Sequence, residues 1–191
     1  MIVEVSDINA ETTNLSDLFL LDTNVLMPIF LDKKSDIKEY SKYNPEAFEC
    51  QAKIVNAIRD GVVKDCVICD AVKYQLYDLS KSGKFKIENF LQWYDSLKEG
   101  ERNLLYEFRI ERKDLKNYVQ AFNCYNCSEG DKMFLASLIV TGISCGVSDD
   151  NDMYTLQARA VKLHREKNRR PRYTPLSIID AKSFCQTHKL I

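Results

Sequence analysis

The sequence predicts an α/β fold, a three-layer α/β/α sandwich with a central parallel sheet. Short continuous apolar runs of strand length recur along the chain, and segments with helical periodicity follow them. Uninterrupted apolar runs are typical of strands buried on both faces, and their alternation with helices indicates βαβ crossovers. The composition also suits a globular protein, since 45% of the 191 residues are hydrophobic and 29% are charged.

The first predicted strand covers residues 18–21. Either Thr23 or Asn24 behind it is suited to cap a helix that starts with VLMPIF. The next helix is expected to begin at Asn44-Pro45, because an N-cap residue followed by Pro in the first turn is a helix start signal. Its predicted stop is Gly61.

Two further strands are predicted from the apolar runs CVIC at residues 66–69 and ISCGVS at residues 143–148. The helix AVKYQLYDL follows the first of these runs, and the helix DKMFLASLIVTG, closed by Gly142, precedes the second. A helix containing MYTLQARAVKLH comes next, and the tail PLSIIDAKSFCQTH predicts an edge element and a short helix.

Residues 84–123 are predicted to form an extended helical pair in the middle of the chain, broken near Glu99-Gly100, which is available as a partner or substrate surface. The expected inward faces consist of Phe90, Leu91, Tyr94 and Leu97 on the first helix and of Leu104, Leu105, Phe108, Leu115, Tyr118 and Phe122 on the second. We interpret residues 1–191 as a single domain with an N-terminal extension over residues 1–17, because the length suits one domain better than two.

The sequence predicts a cytoplasmic protein that does not enter a membrane. No apolar run approaches the roughly 18 residues of a membrane-spanning helix. The N-terminus is acidic and lacks the basic and apolar regions of a signal peptide. The net charge of −1 gives no global attraction to nucleic acid, so any such attraction has to be local.

Seven cysteines, an odd number without an export signal, argue against a disulfide framework. Cys66–Cys69 and Cys124–Cys127 have CxxC spacing, and four thiolates could hold a structural zinc. Residues three apart in a strand point to opposite faces, so a buried structural role suits Cys66 and Cys69 better. The second pair lies on a predicted loop, where redox or metal sensitivity is the alternative.

Acidic residues stand at three strand ends or helix starts, and these are Asp22, Glu129 with Asp131, and Asp149 with Asp150 and Asp152. Open parallel sheets bind ligands beyond the carboxyl ends of their strands, so these acids are expected to converge on one crevice. Carboxylates at close range repel one another unless protons or cations intervene. Oxygen ligands without His or Cys favour Mg²⁺ or Mn²⁺ over zinc.

Each acid also has a purely structural interpretation. Ser128-x-x-Asp131 fits a capping box, and Asp149, Asp150 and Asp152 fit a solvated turn with an N-cap. Asp22 is harder to explain in this way, because Thr23 and the residue after it already supply a cap. The shared placement of the acids favours a joint functional role.

Three segments together resemble the PIN-domain nucleases. LLDTNVL resembles the opening motif of that family, DKMFLASLIVTG its later helix that starts with an acid, and VSDDNDMY its later strand-end motif. The resemblance covers residues 18–191. It implies a PIN-like α/β/α sandwich and Mg²⁺- or Mn²⁺-dependent hydrolysis of phosphodiester bonds, usually in RNA, in which one or two metal ions activate water.

The resemblance also implies roles for individual residues. Asp22, Asp131 and Asp150 correspond to catalytic acids that bind the metal, and Asp152 to an auxiliary ligand. Asn24 corresponds to the polar residue that supports the site, and Asp149 is a register alternative to Asp150.

One position departs from the family pattern. Gln75-Leu76 stands where a Glu-Leu pair is usual, and Gln brings no charge. Asp70 or Asp78 could compensate, and Glu129 could add a carboxylate near Asp131. Two functions therefore stay open. One is an endoribonuclease of the toxin type, which a small antitoxin protein inhibits and which is commonly a dimer. The other is a catalytically weakened module that binds RNA or a protein.

The segment RAVKLHREKNRRPR at residues 159–172 is strongly basic. Its predicted RNA-binding residues are Lys162, Arg165, Lys167, Arg169, Arg170 and Arg172, with Tyr154 and Tyr173 available for stacking on bases. The alternative is a solvated helix end whose cations suit the helix dipole. Surface placement is expected for His164 and His188.

Overall fold

A parallel sheet with helices packed around it forms the centre of the fold. The structure is a computed structural model, and it describes residues 2–4, 15–31, 44–81, 86–97, 106–123, 125–168 and 174–191. In these ranges the strands are β1 (Ile2–Glu4), β2 (Phe19–Leu21), β3 (Cys66–Cys69), β4 (Tyr106–Arg109), β5 (Cys145–Val147) and β6 (Ser177–Ile179). Their order is β1-β4-β3-β2-β5-β6, and every pairing is parallel. The predicted α/β class is confirmed.

Helices follow the strands as the sequence predicts. They are the 3₁₀ helices Leu15–Asp17 and Thr23–Phe30 and the α-helices α1 (Pro45–Arg59), α2 (Asp70–Lys81), α3 (Ile87–Ser96), α4 (Arg112–Gln120), α5 (Glu129–Thr141), α6 (Asn151–Lys167) and α7 (Ala181–Thr187). The helix α1 packs against the Thr23–Phe30 helix and α7, and α5 packs against α4 and α6. This arrangement agrees with the predicted sandwich.

The predicted boundaries of α1 are confirmed. Asn44 accepts a hydrogen bond from the Ala47 N–H at 3.1 Å, and Pro45 occupies the first turn, where its missing N–H costs nothing. Gly61 follows the helix with a φ of 72°, a conformation that glycine adopts without steric cost.

The predicted helical pair at residues 84–123 is wrong in its second half. Residues Tyr106–Arg109 form β4, which pairs with β3 on one side and β1 on the other, and α4 begins only at Arg112. Phe108 is buried, but it lies on a strand and not on the predicted helix. Backbone hydrogen bonds to two distant strands decide this conformation, and local periodicity does not reveal them. Leu104, Leu105 and the Glu99-Gly100 break lie outside the described residues.

Part of the predicted N-terminal extension belongs to the sheet. Ile2 to Glu4 form β1 at the edge of the sheet, paired parallel with β4. The last predicted edge element is confirmed as β6, which forms the opposite edge.

The prediction of surface histidines is wrong for His164 and only partly met for His188. His164 is buried on α6, where its Nε2 lies 3.1 Å from the Ile143 carbonyl oxygen. His188 is partly buried and stacks on Phe184, with its Nε2 3.0 Å from Asp65 Oδ2. Amphipathic burial of the α6 face, rather than the charge of its neighbours, places His164 inside.

The candidate site is positioned by the order of the strands. The chain passes from β2 to β3 and β4 on one side and reaches β5, on the other side of β2, only after α5. The carboxyl ends of β2 and β5 therefore meet where the winding of the sheet reverses. Open α/β sheets bind their ligands at this point. Within the described ranges, no helix is long and apolar enough to cross a membrane.

Candidate active site

Asp22 ends β2 and is only 3% exposed. Its N–H donates to the Val147 carbonyl oxygen at 3.0 Å, which extends the pairing of β2 with β5 by one residue. Its Oδ1 accepts from the Thr23 N–H at 2.6 Å, so Asp22 itself is the N-cap of the Thr23–Phe30 helix. The prediction that Thr23 or Asn24 forms this cap is therefore wrong.

Asn24 and Ser148 hold the second oxygen of Asp22. Ser148 Oγ donates to Asp22 Oδ2 at 2.7 Å, and Asn24 Nδ2 donates to the same oxygen at 2.9 Å. Asn24 Oδ1 accepts from the Asp149 N–H at 3.3 Å, and Ser148 Oγ accepts from the Asp150 N–H at 3.2 Å. This network fixes the Asp22 carboxyl group against the loop that follows β5.

Burial raises the pKa of Asp22 to about 7 despite these hydrogen bonds. The Ser148 and Thr23 hydrogen bonds act in the opposite direction, and the nearby charges of Asp131 and Asp150 raise the pKa further. The Asp22 carboxyl is buried and is repelled by two other carboxylates. A cation bound beside it would stabilise its charged form.

Asp131 combines a structural contact with a place in the same acidic group. The Asp131 N–H donates to Ser128 Oγ at 3.1 Å, and Asp131 Oδ2 accepts from the Ser128 N–H at 2.9 Å, so the predicted capping box is present. Asp131 is only 6% exposed. Burial raises its pKa, and the charges of Asp150 and Asp152 contribute to the rise. The capping box therefore does not remove Asp131 from the acidic group.

Asp150 and Asp152 stand at the start of α6. Asp150 is the N-cap, and its Oδ1 accepts from the Asp152 N–H at 2.9 Å. Asp150 is half-buried and acts on the pKa of both Asp22 and Asp131, whereas Asp152 is exposed and acts on Asp131. Asp22, Asp131 and Asp150 therefore lie within electrostatic range of one another, and Asp152 lies within range of Asp131.

Asp149 makes structural contacts with other elements. Its Oδ1 accepts from the Ala181 N–H at the start of α7 at 2.9 Å, and its Oδ2 accepts from Gln51 Nε2 of α1 at 2.6 Å. Both oxygens therefore connect the β5 loop to two helices. Of the two register alternatives, the structure brings Asp150 into the acidic group.

Gln75 reaches the site from α2. Its Oε1 accepts from Thr23 Oγ1 at 2.5 Å, next to Asp22. Its amide lies over Gly130, where a Cβ atom would overlap Gln75 Nε2. The Gln75 side chain therefore connects α2 to the residue after Asp22 at the end of β2 and to the first turn of α5. Its carbonyl oxygen already accepts a hydrogen bond from Thr23.

Two of the acids considered beside Gln75 have lysine partners. Asp78 is exposed and pairs with Lys81 at 2.9 Å, and Glu129 is exposed and lies 3.5 Å from Lys132. Asp70 is the first residue of α2, directly after β3, and is half-buried.

In the residues that the structure describes, no three His, Cys, Asp or Glu side chains are close enough to hold a metal ion directly. Mg²⁺ usually retains several water ligands and takes one or two carboxylates plus substrate oxygens, so an all-protein cage is not needed. The oxygen-only donors Asp22, Asp131 and Asp150 suit that mode of binding.

Within the described ranges, the cysteines form no comparable group. Cys66 and Cys69 are fully buried in β3, as predicted, and burial raises the pKa of both thiols. Cys127 is half-buried, and Cys124 lies outside the described residues.

Basic residues line the outer end of α6. Lys162, Arg165 and Lys167 are exposed, as is Tyr154 near the start of the helix. Lys162 lies about 18 Å along the helix from Asp150, at the rise of an α-helix. Arg169, Arg170, Arg172 and Tyr173 lie outside the described residues.

Sequence reasoning missed two residues of this region, Ser148 and Gln51. Ser148 is fully buried and connects Asp22, Asn24 and Asp150. A Ser between a buried strand and a run of acids was the available signal. Gln51 carries no such signal, because its role follows only from the packing of α1 beside Asp149.

Comparisons of the chain with protein-family models, with curated proteins and with solved structures find no significant match.

Proposed function

We propose that this protein is a divalent-metal-dependent endoribonuclease that hydrolyses RNA phosphodiester bonds at the Asp22–Asp131–Asp150 site. The observation that carries the proposal is the buried Asp22 carboxyl, whose pKa is raised to about 7 beside two further carboxylates. A bound cation would favour the charged form of such a group. The resemblance of the flanking motifs to the PIN-domain nucleases points to the same chemistry.

Asp22, Asp131 and Asp150 would hold Mg²⁺ or Mn²⁺. When bound, such an ion lowers the pKa of a coordinated water and stabilises negative charge on the scissile phosphate. Ser148 and Asn24 hold the Asp22 carboxyl by donating to Oδ2. Ser128 orients Asp131, and the N–H of Asp152 orients Asp150.

The RNA backbone would lie along α6. Lys162, Arg165 and Lys167 are exposed there and would neutralise phosphates, and Tyr154 offers a ring for stacking. Because the chain has a net charge of −1, this local basic surface has to provide the attraction. A small inhibitor protein of the antitoxin type, a second copy of the chain and a cytoplasmic location remain predictions that accompany this function.

A second candidate function is a PIN-like module that binds RNA or a protein without cleaving it. One observation favours it, namely that the neutral Gln75 side chain occupies the usual Glu position and spends its carbonyl oxygen on Thr23. The module would keep the basic surface of α6 and lack metal-dependent activity.

RNA cleavage in the presence of Mg²⁺ or Mn²⁺, with and without EDTA, separates the two functions. We expect the wild type to cleave only with metal and Asp22→Asn to lose at least about a hundredfold in rate, the scale of losing a principal electrostatic group. Asp78→Asn is the matched control, because it removes an exposed carboxylate on α2 that pairs with Lys81. Metal-independent cleavage, or equal loss in the control, would contradict the nuclease. Binding of RNA without cleavage would favour the module.

A further inference from the structure

Two buried cysteines face each other between α1 and α7. Cys185 Sγ lies 3.5 Å from the Cys50 carbonyl oxygen, and the two thiol groups are in hydrogen-bond contact. Cys50 is only 3% exposed, Cys185 is fully buried, and both are free thiols. The two positions are 135 residues apart in the chain. A covalent bond between them would therefore close a loop that contains most of the protein.

The packing of α7 on α1 keeps these thiols together. One turn nearer the start of each helix, Lys182 Nζ lies 2.7 Å from Glu46 Oε1. The Glu46–Lys182 and Cys50–Cys185 pairs are therefore successive contacts between the two helices. A disulfide needs cysteines whose side chains point toward each other. The thiol–thiol contact in this register provides that arrangement.

The two thiols differ in their readiness to react. Burial raises the pKa of both, and that of Cys185 reaches about 12. The hydrogen bond between them lowers the pKa of Cys50 and raises that of Cys185. The thiolate is the form that attacks an oxidant. Cys50 is therefore the thiol that reacts first, and Cys185 is the neighbour that can complete a disulfide.

We propose that Cys50 and Cys185 form a disulfide when the protein meets a peroxide, and that this bond locks α7 onto α1. The Cys50 thiolate attacks one peroxide oxygen, which breaks the O–O bond, releases hydroxide and leaves a sulfenic acid on Cys50. The Cys185 sulfur then attacks the Cys50 sulfur, which forms the S–S bond and releases water. In total, two thiols and one hydrogen peroxide give one disulfide and two water molecules.

The lock acts on the loop after β5, because both helices hold that loop. Gln51, next to Cys50, donates to Asp149 Oδ2 at 2.6 Å, and the Ala181 N–H at the start of α7 donates to Asp149 Oδ1 at 2.9 Å. The disulfide therefore joins the two helices that supply donors to Asp149. The proposal goes beyond the ribonuclease function and does not depend on it, since the bond and its effect on stability are measured without RNA.

Peptide mapping of the full chain after treatment with hydrogen peroxide tests the bond. Remaining thiols are alkylated before proteolysis without a reducing agent, and we expect one peptide pair joined through Cys50 and Cys185 that dithiothreitol separates. The oxidised protein should melt at least about 5 °C above the reduced protein, because a bond across so long a loop restricts the unfolded chain. Cys185→Ser should lose both the joined peptides and the increase in melting temperature. Cys145→Ser, which removes a half-buried thiol on β5, is the matched control and should keep both.

The mapping keeps the test decisive if Cys185→Ser does not fold, because it uses the wild type. The Cys50–Cys185 pair should form in higher yield than in urea, where the helices no longer hold the two thiols together. Equal yields under the two conditions, joining of either cysteine to a different one, or oxidation of the two to separate sulfinic acids overturns the proposal. A Cys50–Cys185 bond that leaves the melting temperature unchanged overturns the lock.

Discussion

Ser148 Oγ donates a hydrogen bond to Asp22 Oδ2 at 2.7 Å, and this bond connects the carboxyl ends of two neighbouring strands. Both residues are buried, and they lie 126 positions apart in the chain. The same hydroxyl oxygen accepts from the Asp150 N–H. A single side chain therefore sets the position of two of the three proposed metal ligands.

Ser148→Ala is expected to lower the free energy of unfolding by about 1–3 kcal/mol, because Asp22 loses a donor and the Asp150 N–H loses an acceptor. The pKa of Asp22 should rise further, since the Ser148 hydrogen bond lowers it in the wild type. Urea unfolding and NMR titration of the Asp22 carboxyl measure the two effects. Thr187→Ala, which removes an exposed hydroxyl on α7, is the control and should change stability by less than about 0.5 kcal/mol. An unchanged Asp22 pKa would refute the role assigned to Ser148.

The raised pKa of Asp22 predicts a loss of stability as pH increases. Between its ordinary value of 3.8 and about 7, folded Asp22 keeps a proton that the unfolded chain has released. The contribution of Asp22 to the free energy of unfolding therefore falls as pH rises through that window and levels off above it. The total decrease is on the order of 4 kcal/mol. Urea unfolding between pH 4 and pH 8 measures the trend, and Asp22→Asn should remove this part of it.

Mg²⁺ binding is expected to oppose the loss of stability at high pH. Mg²⁺ requires the ionised carboxylate, so binding displaces the Asp22 proton. The increase in melting temperature on adding Mg²⁺ is therefore expected to be larger at pH 8 than at pH 6. An increase that is equal at the two pH values, or that persists in Asp22→Asn, would show that the metal binds elsewhere.

The sequence predicts the placement of Asp22 and the Ser128–Asp131 capping box because both depend on neighbours within three residues. It does not decide between Asp149 and Asp150, which differ only in the direction of their side chains. That direction depends on Gln51 and on the N-terminus of α7. The strand β4 escapes prediction for a similar reason, because its hydrogen-bond partners are distant in the chain.

Gln75→Glu is expected to increase Mg²⁺ affinity about tenfold, a change of about 1.4 kcal/mol. The substitution adds a carboxylate beside Thr23 and Asp22 while keeping an acceptor for Thr23 Oγ1. Isothermal titration of Mg²⁺ into both proteins gives the affinities, and RNA cleavage rates should rise in parallel. Gln75→Met, which adds no charge, serves as the control. Lower Mg²⁺ affinity in Gln75→Glu than in the wild type would mean that Gln75 does not face the metal site.

Gly130→Ala should show energetic coupling to Gln75. When Gln75 is present, the new Cβ at position 130 would overlap Gln75 Nε2, so the amide must move and its bond to Thr23 is strained or lost. We expect a cost of about 1 kcal/mol there. In a Gln75→Ala background the obstacle is absent, and Ala should stabilise the helix by up to about 1 kcal/mol. Urea unfolding of the four proteins completes the cycle, and additive effects would contradict the contact.

Asp149→Asn and Asp150→Asn are expected to have opposite effects. At position 149 both carboxylate oxygens accept hydrogen bonds, so the Asn NH₂ must face a donor, either Gln51 Nε2 or the Ala181 N–H. This conflict should cost about 1–3 kcal/mol of stability and leave Mg²⁺ binding largely intact.

At position 150 the side chain is the N-cap of α6, and Asn is as good an N-cap residue as Asp. Asp150→Asn should therefore change stability by less than about 0.5 kcal/mol while weakening Mg²⁺ binding and RNA cleavage, because a carboxylate near Asp22 and Asp131 is lost. Urea unfolding and Mg²⁺ titration of both variants make the comparison. If Asp149→Asn abolished metal binding and Asp150→Asn did not, Asp149 would be the metal ligand and the assignment of the site would have to shift by one residue.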